Sequence, residues 1–369
     1  MAFRMNWLRR LNWRVIAWVL FAKAALFLFA LFGVPASSGK HPGFWEMWNR
    51  WDAVRYLQLA REGYLATGKE RFNLVGLPLY PWLTRAVSWL GIDVPLAALF
   101  VTGLASIAAG LLLWELVRTD ENEETAWFAV WFFFIYPTSY FLHLAYTEAT
   151  LLALVLGCFW AARQRKWWLV GLLGALASMT RLPGIIVLPA VALEAWQEYR
   201  LTNRFNRRWL WLAVVPCGLG IYLWINYHVT GDPFAFTKYL KENFYQEFRL
   251  PWVGLRNAFG NIHASDREFA MMNGVAETFF SLLAIGLTIW SWFALRASYS
   301  IWMTGNMFLC ICDNFVLSVP RYTLAMFPIF ILFARASRGR PLAFAMISLS
   351  SLLLFALFAS KFALGPWAF

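Results

Sequence analysis

The sequence predicts an all-α protein that crosses a membrane many times. Of its 369 residues, 61% are apolar and only 14% are charged, whereas a soluble domain is close to half apolar and about a quarter charged. Apolar segments of about 20 residues, the length that a helix needs to cross a bilayer, recur along the chain. We expect about eleven transmembrane helices in one membrane domain over residues 1–369.

The first span is predicted from Val15 to Val34, after a basic stretch that includes Arg4, Arg9 and Arg10. It is too long for a signal peptide, and no small-residue cleavage site follows, so we expect an uncleaved helix with a cytoplasmic N-terminus. Further apolar helices are expected at 96–117, 126–142, 149–162, 167–180, 184–196, 209–227, 274–295, 301–317, 322–334 and 341–360.

The formal charge of +12 is distributed like that of a membrane protein. Basic clusters stand in short gaps between apolar segments, near 163–166 and 200–208, as the positive-inside rule predicts for cytoplasmic turns. We therefore expect membrane lipid rather than nucleic acid as the partner. The resulting alternation places the segments that carry Asp52, Glu148, Asp232 and Arg321 on the extracytoplasmic side.

Two longer external loops are predicted, at about 35–73 and 228–273. In the first, Trp48, Trp51, Arg55, Leu59 and Glu62 recur at helical spacing, which predicts an amphipathic helix on the outer membrane surface. The apolar block that follows, 74–90, is interrupted by two prolines. It is expected to be a re-entrant or interfacial piece.

Ionisable side chains near a membrane are costly, so they are candidates for function. Asp52 lies among aromatic residues in RWDAVRY, where a carboxylate near an apolar surface can act as a general base. The alternative is a solvated surface carboxylate paired with Arg50 or Arg55. Glu148 begins an apolar helix. The helix dipole alone would favour a carboxylate there, so functional and structural roles both remain open.

Two arginines are expected on the same side as these carboxylates. Arg181 interrupts an apolar block, and Arg321 begins a helix, where the dipole opposes its charge and requires a compensating partner. Because guanidinium groups bind phosphate through paired hydrogen bonds, they predict a site for a phosphate-bearing ligand. The alternative is structural ion pairs, for example between Arg181 and Glu148. His143 is either an interfacial hydrogen-bonding residue or a substrate ligand.

Other polar residues and the cysteines give weaker indications of function. Asp232 stands in a Gly-Asp-Pro turn sequence, and Asp313 is expected inside a span, as a structural hydrogen-bonding residue or as a relay in a transporter. The four cysteines lie in apolar segments, where free thiols behave as small hydrophobic groups. The first loop has no DxD or ExD pair, and no His or Cys spacing typical of metal ligands is present, so the motifs give a divalent metal no support.

Five stretches together resemble a known family. In chain order they are RWDAVRYLQLAREGY with the following LPLYP, YPTSYFLHLAYTEATLLAL, ASMTRLPG, YHVTGDPFAF and SVPRYTLAMFPIF. They resemble the GPI mannosyltransferase II family, and most of all its bacterial relatives, from about Trp48 to Phe330. That family is similar in architecture to the GT-C glycosyltransferases. The chain departs from it mildly, since the leading Phe of the family's FPLYP run is missing and Pro183 often is Asn there.

The resemblance implies an inverting transfer of a hexose, in the first place mannose, from a polyprenyl-phosphate sugar. The acceptor would be an extracytoplasmic lipid or glycan, and the protein would lie in a bacterial plasma membrane. The resemblance implies that Asp52 is the catalytic base, which deprotonates the acceptor hydroxyl, while arginine stabilises the leaving phosphate. The residues expected to bind substrate or phosphate are Glu148, Arg181, Arg321, Arg55, His143 and Tyr80.

Two other classes of protein remain open on the sequence. A transporter or lipid flippase would account for the broken helices and for an intramembrane Asp313, although no internal repeat is present. A non-catalytic scaffold would leave the external acids and arginines without an explanation.

Overall fold

The computed structural model describes residues 12–369, so the predicted basic run at Arg4, Arg9 and Arg10 lies outside the described residues. Within this range the chain is helical, and one isolated β-bridge pairs Phe248 with Asp313. The α-helices are α1 (Trp13–Leu28), α2 (Val34–Ser38), α3 (Phe44–Trp48), α4 (Asp52–Glu62), α5 (Leu79–Ser88), α6 (Val94–Asp120), α7 (Glu123–Ile135), α8 (Glu148–Arg163), α9 (Trp167–Thr180), α10 (Val187–Thr202), α11 (Val215–Thr230), α12 (Ala235–Phe244), α13 (Pro251–Asn261), α14 (Arg267–Phe269), α15 (Glu277–Ala294), α16 (Ala297–Ile311), α17 (Val319–Ala325), α18 (Pro328–Ser337) and α19 (Pro341–Leu364).

Shorter helical turns connect several of these helices. The π-helical segments are Phe29–Gly33 and Ala270–Ala276, and the 3-10 segments are Lys69–Val75, Ser139–Leu142, Leu182–Ile186 and Arg207–Val214. Some of them extend an α-helix into a longer continuous one. As a result, α1 continues to Ala36, and α15 forms the second part of a helix that begins at Arg267.

Five helices in the described part of the chain are long and apolar enough to cross a membrane, and the number rises to six if α17 and α18, bent by 84°, form one broken span. The five are Trp13–Ala36, Val94–Asp120, Arg207–Thr230, Arg267–Ala294 and Pro341–Leu364. The expected count of about eleven is therefore not confirmed. Other predicted apolar segments form shorter helices, such as the 16 residues of α8, which rise only about 24 Å.

The helix α8 lies at the centre of the fold. Its buried side chains occur all around the helix, and it packs against α6, α9 and α10, which explains why its sequence is apolar on every face. In α1 and α19, by contrast, large apolar side chains such as Phe21, Phe32 and Leu353 are exposed, as expected for helices that face lipid. The two ends of α8 carry Glu148 and Arg163.

The first loop contains the predicted amphipathic helix, but the structure corrects its extent. The helical turn α3 ends at Trp48, and α4 begins only at Asp52, so Trp48 and Arg55 do not belong to one helix. The ring of Trp48 is buried between α1 and α19, against Phe27 and Phe362. Although the sequence is helically periodic from Trp48 onwards, burial of this ring is favoured over one continuous helix, and the chain turns between α3 and α4.

The second loop is helical as well, with α12 and α13 at its centre. The segment between α12 and α13 is hydrogen-bonded to the turn after α16. There the backbone N–H of Glu247 donates to Asp313 Oδ1 at 3.1 Å. The prediction that Asp313 lies inside a span was therefore wrong. The helix α16 ends at Ile311, and the carboxylate of Asp313 instead accepts backbone hydrogen bonds that close the loop over the fold.

Candidate active site

The backbone turn before α4 determines where the carboxylate of Asp52 lies. Trp51 has a φ of 52°, a conformation that residues other than glycine rarely adopt. The turn is held by the Tyr146 hydroxyl, which donates to the Arg50 carbonyl oxygen at 3.0 Å. Asp52 thus becomes the first residue of α4, with its side chain 32% exposed.

Both carboxylate oxygens of Asp52 accept hydrogen bonds from arginine. Arg321 Nη1 donates to Oδ2 at 2.7 Å, and Arg55 Nη1 donates to Oδ1 at 3.4 Å. Burial, the largest influence, raises the pKa of Asp52, but the charges of Arg321 and Arg55 together outweigh it, and the net pKa is lowered. The carboxylate is therefore ionised at neutral pH and retains further lone pairs for a proton.

Glu148 shares Arg321 with Asp52 and also binds Arg181. Its Oε1 accepts hydrogen bonds from Arg321 Nε and from Arg181 Nη1, and Arg181 Nη1 also donates to Thr147 Oγ1 at 3.1 Å. The side chains of Glu148 and Arg321 are only 3% and 4% exposed. The ion pair between Arg181 and Glu148 that the sequence left open as a structural alternative is thus present.

We call Asp52, Arg55, Glu148, Arg181 and Arg321 the acid–arginine cluster. Asp52 and Arg55 belong to α4, and the other three residues lie at helix ends. Glu148 begins α8, Arg181 follows α9 and Arg321 lies in the first turn of α17. With three guanidinium groups and two carboxylates, the cluster has one net positive charge. An anion with a single negative charge would neutralise it.

Aromatic rings pack against each guanidinium group of the cluster. The guanidinium carbon of Arg321 lies 4.6 Å from the ring centre of Tyr146, and that of Arg181 lies 5.4 Å from the ring of Tyr322. The guanidinium of Arg55 lies 4.1 Å from Phe244, in α12 of the second loop. Such contacts stabilise the cations and fix the planes of the groups without occupying their N–H donors.

Two buried atoms of the cluster have no hydrogen-bond partner among the described residues. They are Glu148 Oε2 and Arg321 Nη2. Buried polar atoms are almost always satisfied in folded proteins, and leaving one unpaired costs about 1–3 kcal/mol. The site thus contains one unsatisfied donor and one unsatisfied acceptor, both buried, near the Asp52 carboxylate.

The cluster lines a cavity of about 530 Å³, within the range that small-molecule sites commonly have. One part of the wall is apolar and includes Leu151, Leu309 and Ala325. Another part is formed by the second loop, with Leu240, Asn243, Phe244 and Gln246 among its residues. The lining of the cavity therefore combines charged groups with apolar, polar and aromatic side chains.

Two of the predicted substrate-binding residues do not line this cavity. His143 is buried against Phe134, and burial together with the charge of Lys23 lowers its pKa to about 3, so the ring is neutral. Tyr80 is fully buried, and its hydroxyl lies 2.9 Å from Thr102 Oγ1. Asp232, at the surface, forms an ion pair with Lys238 at 2.6 Å. These three side chains are apart from the cluster.

Two residues that the sequence did not single out lie at or beside the site. Tyr56, one turn after Asp52, lines the cavity, and its hydroxyl has no hydrogen-bond partner within residues 12–369. Helical spacing from Asp52 could have indicated it. Glu277 is fully buried and contacts the start of α17. It stands inside the span predicted at 274–295, so the cost of an ionisable side chain in a membrane could have indicated it.

The described residues contain no group of three or more His, Cys, Asp or Glu side chains that could hold a metal ion. Arg55, Arg181 and Arg321 supply the positive charge at the site, since guanidinium groups are always ionised in proteins.

Solved structures provide the decisive comparison for the fold. The apo structure of ArnT from Cupriavidus metallidurans matches with a TM-score of 0.54 and 15% identity, over 95% of this chain and 78% of ArnT. The chain has the GT-C fold of membrane glycosyltransferases. This confirms the predicted fold class, although not the predicted number of spans.

A second solved structure with this fold is the Archaeoglobus fulgidus oligosaccharyltransferase tethered to an acceptor peptide. It matches with a TM-score of 0.51 and 11% identity over 99% of this chain. The chain spans only about half the length of that enzyme, 56% in this comparison. No protein-family model and no curated protein matches the sequence, so the GPI mannosyltransferase II resemblance stays a prediction.

Proposed function

We propose that this protein is a membrane glycosyltransferase that moves a sugar from a polyprenyl phosphate to an acceptor hydroxyl with inversion. The observation that carries the proposal is the ionised carboxylate of Asp52, which shares Arg321 with Glu148 at the wall of a cavity of about 530 Å³. A base and a phosphate-binding cation thus adjoin each other. The GT-C fold supports the same reaction class.

In the proposed reaction, the acceptor oxygen attacks the anomeric carbon of the sugar and forms the new glycosidic bond. Its proton passes to a carboxylate oxygen of Asp52. The bond between the anomeric carbon and the phosphate oxygen breaks, and the polyprenyl phosphate leaves with the electron pair. The guanidinium groups of Arg321 and Arg181 stabilise the negative charge that develops on this phosphate.

The shared guanidinium group couples donor binding to the basicity of Asp52. The charge of Arg321 helps to lower the pKa of Asp52. A phosphate that binds the guanidinium group of Arg321 adds a negative charge beside the carboxylate and competes for the same cation, so the pKa of Asp52 rises. The base would therefore become stronger when the donor is in place.

The charge of the cluster favours a monophosphate donor. A sugar linked to a polyprenyl phosphate is a phosphodiester with one negative charge, which equals the net positive charge of the cluster. The apolar wall near Leu151 and Leu309 suits the first isoprene units of such a lipid. The family resemblance suggests a hexose, in the first place mannose, and a glycan or glycolipid acceptor outside the cytoplasm of a bacterium.

The test is sugar transfer by the purified protein in lipid nanodiscs, with a labelled polyprenyl-phosphate-mannose donor and lipid extract as the source of acceptor. We expect labelled product and released polyprenyl phosphate in equal amounts. Hydrolysis or no turnover, together with movement of the lipid between leaflets of proteoliposomes, would instead support a flippase. Undecaprenyl phosphate, which is bound to ArnT in another structure, is a suitable probe of product binding.

A further inference from the structure

Glu277 is a buried acid that has no place in the proposed reaction. It is the first residue of α15 and is fully buried, and it does not line the cavity of about 530 Å³. Within residues 12–369 it forms no ion pair. An isolated buried carboxylate is costly unless hydrogen bonds compensate for the loss of water, so its few partners are informative.

Both oxygens of Glu277 accept hydrogen bonds from the backbone at the start of α17. The N–H of Ser318 donates to Oε1 at 2.6 Å, and the N–H of Val319 donates to Oε2 at 2.9 Å. Ser318 has a φ of 63°, which is strained for a residue with a side chain. The carboxylate thus holds a strained turn and satisfies two N–H groups that a helix start leaves unpaired.

This turn carries Arg321, the residue that joins the two acids of the cluster. The backbone N–H of Arg321 donates to the Ser318 carbonyl oxygen at 3.0 Å. From there its side chain reaches Glu148 and Asp52. A rotation of the turn at Ser318 would therefore move the guanidinium group, and a displacement of about 1 Å can cost about 100-fold in rate.

We infer that Glu277 is a positioning residue, which holds the first turn of α17 so that Arg321 faces both the donor phosphate and Asp52. The inference rests on the proposed function, because it assigns Glu277 a role in the phosphate contact of that reaction.

The first variant is Glu277→Gln, which keeps the shape of the side chain but replaces one acceptor oxygen by an NH₂ group facing a backbone N–H. We expect kcat to fall by about 10- to 100-fold and the Kd for undecaprenyl phosphate to rise by about 10-fold. The matched control is Ser281→Ala, one turn along α15, where the buried hydroxyl has no partner. It is expected to change both values by less than about two-fold.

A second substitution separates positioning from a general loss of structure. If Glu277 acts through Arg321, adding Glu277→Gln to Arg321→Lys changes kcat and Kd by less than about three-fold, because the effects of coupled residues are not additive. Independent, multiplying effects in the double variant would overturn the inference, as would wild-type values in Glu277→Gln. If Glu277→Gln does not fold, Glu277→Asp replaces it under the same criteria.

The two measurements also distinguish this inference from the proposed function. A wild-type protein that transfers no sugar refutes the proposed function. The binding of undecaprenyl phosphate still tests Glu277, since a Kd that depends on Glu277 only when Arg321 is present supports the positioning role. Active wild-type protein with an unaffected Glu277→Gln variant refutes the positioning role alone.

Discussion

The two ends of α8 carry two clusters of ion pairs that differ in their charge balance and in the size of the adjoining cavity. Glu148 at one end and Arg163 at the other are separated by about 22 Å of helix. The cluster around Glu148 has three arginines for two acids and lines a cavity of about 530 Å³. It therefore combines an excess positive charge with room for a ligand.

The cluster around Arg163 is balanced. Arg163 lies 3.3 Å from Asp120 and 2.5 Å from Glu194, and Arg296 pairs with the same two acids. The hydroxyl of Tyr299 donates a further hydrogen bond to Asp120. Two cations thus meet two anions, and the adjoining cavity measures only about 200 Å³.

The comparison shows that burial and ion pairing do not identify a site by themselves. Both clusters have a buried centre and both connect several helices, and removing one partner of a buried ion pair costs about 3–5 kcal/mol. What distinguishes the acid–arginine cluster is an excess charge and room for a ligand. The following predictions test whether activity depends on only one end of α8.

The largest effect is expected for Asp52→Asn, which removes the base and keeps the shape of the side chain. Transfer is expected to fall by about 1,000-fold, measured as kcat in the nanodisc assay. The control is Asp232→Asn at the surface, where the acid pairs with Lys238 and transfer is expected to stay within about two-fold. Wild-type activity in Asp52→Asn would exclude Asp52 as the base.

The second prediction compares one arginine from each end of α8. Arg321→Lys keeps the charge but loses the paired donors, so kcat is expected to fall by about 100-fold. Arg163→Lys is expected to leave kcat within about two-fold and to lower the Tm by about 3 °C. The measurements are the kcat and the Tm of both variants. Equal losses of activity at the two ends would contradict the expectation that activity depends on only one end of α8.

The third prediction uses two tyrosines whose rings touch at 5.7 Å between centres. Tyr56→Phe removes a hydroxyl that faces the cavity without a partner, and kcat/KM is expected to fall by about 10-fold because a substrate hydrogen bond is lost. Tyr80→Phe removes a hydroxyl that contacts Thr102 inside the protein, so it is expected to affect stability more than activity. The opposite pattern would return Tyr80 to the substrate-binding set.

The smallest effect concerns pH. The charges of Arg321 and Arg55 hold the pKa of Asp52 below its ordinary value, so protonation of this base limits kcat/KM only below the usual pKa range of an aspartate. With the donor phosphate on Arg321 the pKa rises, and the acid limb of kcat is expected at higher pH than that of kcat/KM. Limbs that coincide would mean that phosphate and Asp52 do not share Arg321.

Much of the architecture could be predicted from the sequence, because hydropathy reports directly on spans. The segment predicted at 341–360 is the helix Pro341–Leu364, and the one predicted at 96–117 is Val94–Asp120. The count of spans could not be predicted, since an apolar segment such as Ala149–Ala162 forms a helix within the protein interior. Apolar composition alone does not separate burial in lipid from burial in protein.

The site was predictable only where its residues stood out in the sequence. Asp52, Glu148, Arg181 and Arg321 are charges in apolar surroundings, and the structure brings these four together. The turn at Trp51 could not be predicted, because it depends on a hydrogen bond from Tyr146, almost 100 residues away in the chain. Such long-range contacts leave no local pattern.

The proposed function requires that the acid–arginine cluster bind the phosphate of a lipid-linked sugar beside Asp52. A structure of the protein in nanodiscs with a non-hydrolysable polyprenyl-phosphate sugar tests this most directly. The predicted result is a phosphate within about 3 Å of the guanidinium group of Arg321, with the carboxylate of Asp52 facing the anomeric carbon on the side opposite the phosphate. Density for the phosphate at the Arg163 end of α8, or away from both clusters, would contradict the claim.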